Sequence, residues 1–229
     1  MPGGDKVTRQ PWRMAYSYLY HIFGEQITQA KLPVLRGRKQ EEKVLLNQMI
    51  ENKINSPLTS SCGRLFDAVA SLVGIRNEVD FEGQAAIALE SYCLPKYKAH
   101  YPYQIFKQNG QWVIHMEDMF RQLLIDMERK EKIEKMATFF HNTIADIILS
   151  ICVKIRDSSA INRIVLSGGV FQNGFLLDRV MRDLHKNHFK VFIHQKMPPN
   201  DACISLGQAV IANQSHNYPK WKFKKPAIN

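Results

Sequence analysis

Apolar residues recur every third or fourth position along most of the first 160 residues, and the pattern changes after that. In TSSCGRLFDAVASLVGI, residues Leu65, Phe66, Val69, Leu72 and Val73 mark one face of an amphipathic helix. Ser60 or Ser61 supplies an N-cap and Gly74 a stop. The same reasoning predicts a helix over Arg13–Phe23, with Pro11 in a first turn that tolerates it. Further helices are expected over Glu41–Ile54, ended by Ser56-Pro57, and over Glu82–Tyr92. Two more follow over Met116–Arg129 and Ile133–Asp157. The last carries Phe139, Phe140, Ile144, Ile147, Ile148 and Ile151 and reads as a core helix. Between them, two strand-like runs flank Asn109-Gly110, the pair favoured in a type I′ hairpin turn.

From Arg163 the pattern becomes β-α-β-α. An apolar strand, Arg163–Leu166, reads as buried. A helix over Leu176–Asn187, a strand over Lys190–His194, the loop QKMPPND and a helix over Ala202–Asn213 complete it. The expected class is therefore α-rich α/β. A mainly helical part covers 1–160, with a hairpin near 103–115. A β-α-β-α unit covers 161–213 and a basic tail 214–229.

Composition narrows the partners. The formal net charge is +10, with Arg36, Arg38 and Lys39 in one basic stretch and KWKFKK in the tail. That charge suits a nucleotide, RNA or an acidic protein. No nucleic-acid motif accompanies it, so nucleic-acid binding is not expected. The four cysteines, Cys62, Cys93, Cys152 and Cys203, form no CxxC pair, which fits a reduced, cytoplasmic setting. No apolar run is read as long enough to span a bilayer, and no membrane partner is expected.

Four places carry candidate chemistry. In VLSGGVFQNGFLLDRV, Gly168 and Gly169 end a strand and Asn173 precedes a helix. This is either a plain strand–turn–helix connection or a backbone that approaches a nucleotide, with the helix N-terminus offering unpaired N–H groups to an anion. Asn173 either caps that helix or bonds a ligand hydroxyl. Asp201, after Pro198-Pro199-Asn200, is either a cap or a hard metal ligand in the same region, where the two could line one cleft. Gly63 and Asp67 lie near the start of a helix. Asp67 is either exposed on a polar stripe or a carboxylate that accepts bonds from ribose hydroxyls. The fourth is FEGQAAIALE, where Glu82 reads as a cap of its own helix and Gln84 as solvated. No Ser-His-Asp or Cys-His nucleophile arrangement emerges from spacing, and no catalytic residue is assigned.

Five segments in order, PGGDKVTRQPWRMA, TSSCGRLFDAVASLVG, FEGQAAIALE, LSGGVFQNGFLL and PPNDACISLGQAVIA, resemble the C-terminal region of the hydrogenase-maturation carbamoyltransferases, the HypF family. The resemblance runs from Pro2 to Asn213. It implies part of an actin-like, sugar-kinase-like (ASKHA) fold: a C-terminal, RNase-H-like lobe with an inserted helical subdomain beside a nucleotide cleft. It also implies a carbamoyltransferase that uses ATP and carbamoyl phosphate. Carbamoyl adenylate would be the bound donor, and the C-terminal cysteine of a HypE-type partner the acceptor, on the way to the cyanide ligand of [NiFe] hydrogenase. Gly63, Asp67, Gly168, Gly169 and Asn173 fall on the family's nucleotide-binding positions, and Asp201 on a ligand of a divalent metal, zinc or iron. Two histidines that complete that metal site lie, in the family, upstream of Met1. The resemblance thus implies an incomplete lobe pair that is inactive by itself. Cys62, Ala202 and Cys203 depart from the family's small residues. Sister transferases, acting on a tRNA adenosine or an antibiotic hydroxyl, and a non-catalytic docking module are the alternatives.

Overall fold

Helix α3 (Cys62–Leu72) lies at the centre of a computed structural model that describes residues 1–215. Ser61 caps it, its hydroxyl accepting from the Arg64 amide at 3.3 Å, and Gly74 follows with φ +86°. The sequence predicts one buried face, yet every residue from Arg64 to Leu72 is buried. Small side chains at Ala68, Ala70 and Ser71 let neighbours approach all round. Ser71 donates to Asn77 Oδ1 at 2.8 Å.

Helix α1 (Pro11–Phe23) packs along α3, with Trp12, Tyr16 and Leu19 fully buried. Tyr16 donates to Asn47 Oδ1 at 2.6 Å and so ties α1 to α2 (Gln40–Glu51). Short 3-10 turns at Gly4–Thr8, Gly24–Gln29 and Pro33–Leu35 were not legible in the pattern. Helix α4 (Gln84–Ser91) begins at Gly83, in a left-handed conformation. This corrects Glu82 as a cap, since its carboxylate accepts from Arg64 instead.

The hairpin forms as expected. Strands β1 (Gln104–Gln108) and β2 (Gln111–His115) pair antiparallel, with positive φ at Asn109 and Gly110 as a type I′ turn requires. Helix α5 (Glu117–Glu128) precedes α6 (Ile133–Ser159). Helix α6 is long and apolar enough to cross a membrane, which corrects the reading that no such run exists. However, 56% of its most apolar window is buried inside the fold, and it holds His141, Asn142 and Thr143 in satisfied hydrogen bonds there. That is the pattern of a core helix.

Strands β3 (Arg163–Leu166) and β4 (Lys190–Ile193) are parallel neighbours, joined by α7 (Gly174–Lys186). Leu166 is buried, but Val165 is 70% exposed, so β3 is covered on one face only. This corrects the expectation of a buried strand. A 3-10 turn at Asp201–Cys203 leads into α8 (Ile204–Ser215). The helix includes Gln214 and Ser215, assigned to the tail by sequence; Lys220–Lys225 lie outside the described residues.

Candidate functional site

The carboxyl ends of β3 and β4 carry the site, where open α/β sheets bind ligands. Leaving β3, Ser167 and Gly168 turn the chain into a 3-10 turn over Gly169–Gln172. Gly168 has φ +106° and ψ 153°, a conformation reserved to glycine. A Cβ there would meet nothing within 4 Å, so conformation and not crowding demands the residue. Its amide donates to Pro199 O at 2.7 Å, and Asn200 Nδ2 donates to Gln172 Oε1 at 3.3 Å. Those two bonds bring the Asn200-Asp201 loop against the glycine turn. At Gly169 a Cβ would stand 3.8 Å from that of Asn200.

The helix N-terminus differs from expectation. Asn173 is a cap, with Oδ1 accepting from Leu176 N at 2.8 Å. Phe175 N donates to Glu90 Oε1 of α4 at 3.1 Å. Helix α7 therefore already has an anion at its positive end, the Glu90 carboxylate. The amides of Gly169 and Val170 in the turn, and of Gly174 at the start of α7, have no hydrogen-bond partner among the described residues. Asn173 Nδ2 faces His141 Nε2 at 2.9 Å, so its amide is engaged at both ends.

Asp67 is 2% exposed, which removes the polar-stripe reading. Its Oδ2 lies 3.0 Å from Arg64 Nη1, but the angles are not those of a hydrogen bond, and neither atom has another partner among the described residues. The contact is coulombic. Burial raises the Asp67 carboxyl to about 6; Arg64 opposes the rise and Glu82 adds to it. Arg64 also reaches the exposed Glu82 at 3.0 Å. Gly63 lies one turn before Asp67, and only Ser61 Oγ, at 3.6 Å, would approach a Cβ there. Helix α3 packs against the 3-10 turn of Gly169–Gln172, so this pair and the glycine turn belong to neighbouring elements.

Two pairs escaped sequence reasoning. Ser167 Oγ and His194 Nε2 are 2.8 Å apart at the ends of adjacent strands, next to the free amides. Cys93 Sγ and His141 Nδ1 are 3.1 Å apart behind the turn. The members of each pair are far apart in sequence, so no spacing rule finds them. Burial pushes the Cys93 thiol up to about 12, which makes it a poor nucleophile.

For the divalent metal implied by resemblance, no group of three or more His, Cys, Asp or Glu gathers among the described residues. Asp201 is exposed at the start of its turn, and Asn200 Oδ1 accepts the following amide. Zinc takes four ligands, with at least three from protein side chains. The residues here do not make such a site, and no chemistry below passes through a metal. What the loop can do is donate hydrogen bonds from two amides and a hydroxyl to an anionic ligand.

Comparison with known proteins finds relatives for the sequence and the fold. A family model described as carbamoyltransferase, Kae1-like domain, second subdomain, matches residues 1–208. A carbamoyltransferase HypF of Synechocystis sp. is 33% identical over 229 residues, covering 94% of this chain and 29% of that protein. A probable carbamoyltransferase HypF of Methanocaldococcus jannaschii is 33% identical over 211 residues, covering 91% and 27%. Full-length HypF, in a phosphate- and nucleotide-bound crystal form, superimposes with a TM-score of 0.87 at 38% identity, covering 97% of this chain and 34% of that one. HypF of T. kodakarensis has the same fold, with a TM-score of 0.77 at 24% identity over 95% of this chain and 29% of that one. The chain spans less than a third of the length of these curated relatives.

Proposed function

The chain belongs to the HypF carbamoyltransferase family, in its Kae1-like domain, and from that membership we propose that it hands a carbamoyl group from carbamoyl adenylate to a thiol. The adenylate arises from carbamoyl phosphate and ATP, and the acceptor is the C-terminal cysteine of a HypE-type protein. The product thiocarboxamide feeds cyanide-ligand synthesis for [NiFe] hydrogenase. The setting is cytoplasmic, in keeping with four free thiols. The wider architecture is actin-like and sugar-kinase-like, and this chain supplies one wall of its nucleotide cleft.

One observation carries the reading. The loop of Ser167 to Gln172 stands at the carboxyl ends of two parallel strands, with the Gly169 and Val170 amides free. In the proposed step the acceptor sulfur bonds to the carbamoyl carbon and the carbon–oxygen bond to phosphate breaks. AMP leaves with the bonding pair, and the thiol proton passes to solvent. The two amides and the Ser167 hydroxyl donate to phosphate oxygens as charge grows on the leaving group. Asp67, on the neighbouring helix, accepts from ribose hydroxyls.

Two measurements test this. Titrating the 15N-labelled chain with AMP should perturb the amides of Gly168, Gly169 and Val170 first. Absence of any change there at millimolar AMP would remove the nucleotide reading. Labelled carbamoyl transfer is then followed with the chain supplied with the adenylate-forming part of a relative. Label should enter a HypE-type protein ending in cysteine; label in tRNA would transfer the chain to the sister chemistry.

A further inference from the structure

His141 is completely buried in the middle of α6, and nothing in the transfer step uses it. Three aromatic rings box it edge-on: Phe66 of α3 at 5.1 Å, Phe140 at 5.8 Å and Phe175 of α7 at 5.6 Å between centroids. Its hydrogen bonds have a fixed polarity. Asn173 Oδ1 accepts from Leu176 N, so the opposite end of that amide, facing His141, is the NH2 group. An amide NH2 only donates, so His141 Nε2 must accept. The ring proton then resides on Nδ1, which donates to Ala137 O at 2.8 Å. Cys93 Sγ, 3.1 Å from the same nitrogen, shares that proton.

The arrangement contains a cysteine, a histidine and an asparagine, but its polarity is wrong for a nucleophilic triad. There the amide oxygen accepts from the ring and the histidine takes the thiol proton. Here the amide nitrogen donates, the ring is held neutral and the thiol stays protonated.

The same polarity makes His141 an anchor. Asn173 sits at the junction of the glycine turn and α7. Its backbone amide donates to Val170 O at 3.1 Å, its Oδ1 caps α7, and its Nδ2 reaches back to His141. We propose that His141 is a positioning residue for the nucleotide loop: as an acceptor rooted in α6, it fixes Asn173 and with it the Gly169 and Val170 amides. This rests on the nucleotide reading above.

The test compares His141→Gln, His141→Leu and Asn173→Ser in the full chain, with AMP as the probe. Glutamine can place an acceptor oxygen where Nε2 stands, and leucine cannot. Serine keeps a cap on α7 but offers nothing to His141. AMP affinity is read by calorimetry, and amide exchange at Leu176 by NMR without ligand. The expected result is a loss of about tenfold in affinity for His141→Leu, with faster exchange at Leu176, and recovery to within about twofold for His141→Gln. Adding His141→Leu to Asn173→Ser should cost little more, because the bond it removes is already gone. Should His141→Leu fail to fold, Asn173→Ser and His141→Gln carry the same contrast. Leucine and glutamine variants that bind AMP equally would overturn the inference, as would additive losses in the double variant. No AMP binding by the unaltered chain would instead refute the nucleotide reading, and the positioning role with it.

Discussion

Helix α3 and strand β3 are both rich in apolar residues, yet one is enclosed on every side and the other on one. From Arg64 to Leu72 no residue of α3 is exposed, and even its charged pair has its partner inside. On β3, Leu166 points into the core while Val165 and, across the pair, Phe192 point outward. Helix α8 is open as well, with Ile204, Leu206, Val210 and Ile211 exposed. Parallel strands are usually covered on both faces. The helical part therefore buries its central helix on every side, while the β-α-β-α unit leaves one face of its two strands open. On the proposed nucleotide reading, stability and function are divided accordingly: the first region holds the fold, and the second displays the loop.

The division is broken most directly at Phe66, which is buried between Phe140 and His141. Phe66→Ala should cost about 3–5 kcal/mol in a denaturant melt, through lost burial and the cavity left behind. A loss below about 1 kcal/mol, well under the range for such truncations, would mean that the helical core is not the fold's support.

Next in size is a pH contrast inside that core. Folding raises Asp67 to about 6, against 3.8 for an unperturbed group, so the folded chain keeps this proton longer than the unfolded one. Asp67 alone therefore makes stability fall as pH rises from about 4 to about 6. Folding lowers His141 from 6.5 to about 4, chiefly by burial, so the folded chain gives up that proton first. His141 alone makes stability rise between about pH 4 and 6.5. Each effect is worth roughly 3 kcal/mol, and in the unaltered chain they oppose each other. His141→Gln should uncover the fall, and Asp67→Asn the rise. Melts at pH 4 and pH 6.5 that move both variants the same way would show that one of the two groups is not perturbed by the fold.

How much of this was legible depended on the range of each interaction. Caps and turns are local, so Ser61, Asn109-Gly110 and Asn173 were readable from the chain. The glycine turn gained its meaning from its order among four other segments, which no spacing rule supplies. Asp67 and Arg64 are only three residues apart, but their burial depends on α1, α4 and the turns that wrap α3. The Phe175 amide near the start of α7 was expected to be free and is not, for a similar reason. Glu90, 85 residues before Phe175, occupies that end, and the sequence holds no local sign of it. The Ser167–His194 and His141–Asn173 contacts likewise exist only once the strands and helices have packed.

At the border of the two regions, Gly168→Ala should cost about 1–3 kcal/mol. Nothing stands within 4 Å of the added methyl, so the cost is backbone strain and not a clash. The strain falls on the loop itself, so AMP binding should weaken more than the melt predicts. Equal loss in both would make Gly168 a residue of the fold and not of the site.

The smallest expected effect is the sharpest test of openness. Val165 is 70% exposed on β3, and threonine keeps its shape and strand preference while adding a hydroxyl that water can satisfy. Val165→Thr should change stability by no more than about 0.5 kcal/mol, as surface substitutions do. The same change at a buried position strands a polar group and costs about 1–3 kcal/mol. A melt at low and at high protein concentration separates the two cases. An effect near zero at both leaves the outer face of β3 open to water. A loss that appears only at high concentration would mean that copies of the chain cover this face with one another, and the contrast between α3 and β3 would then hold for the monomer alone.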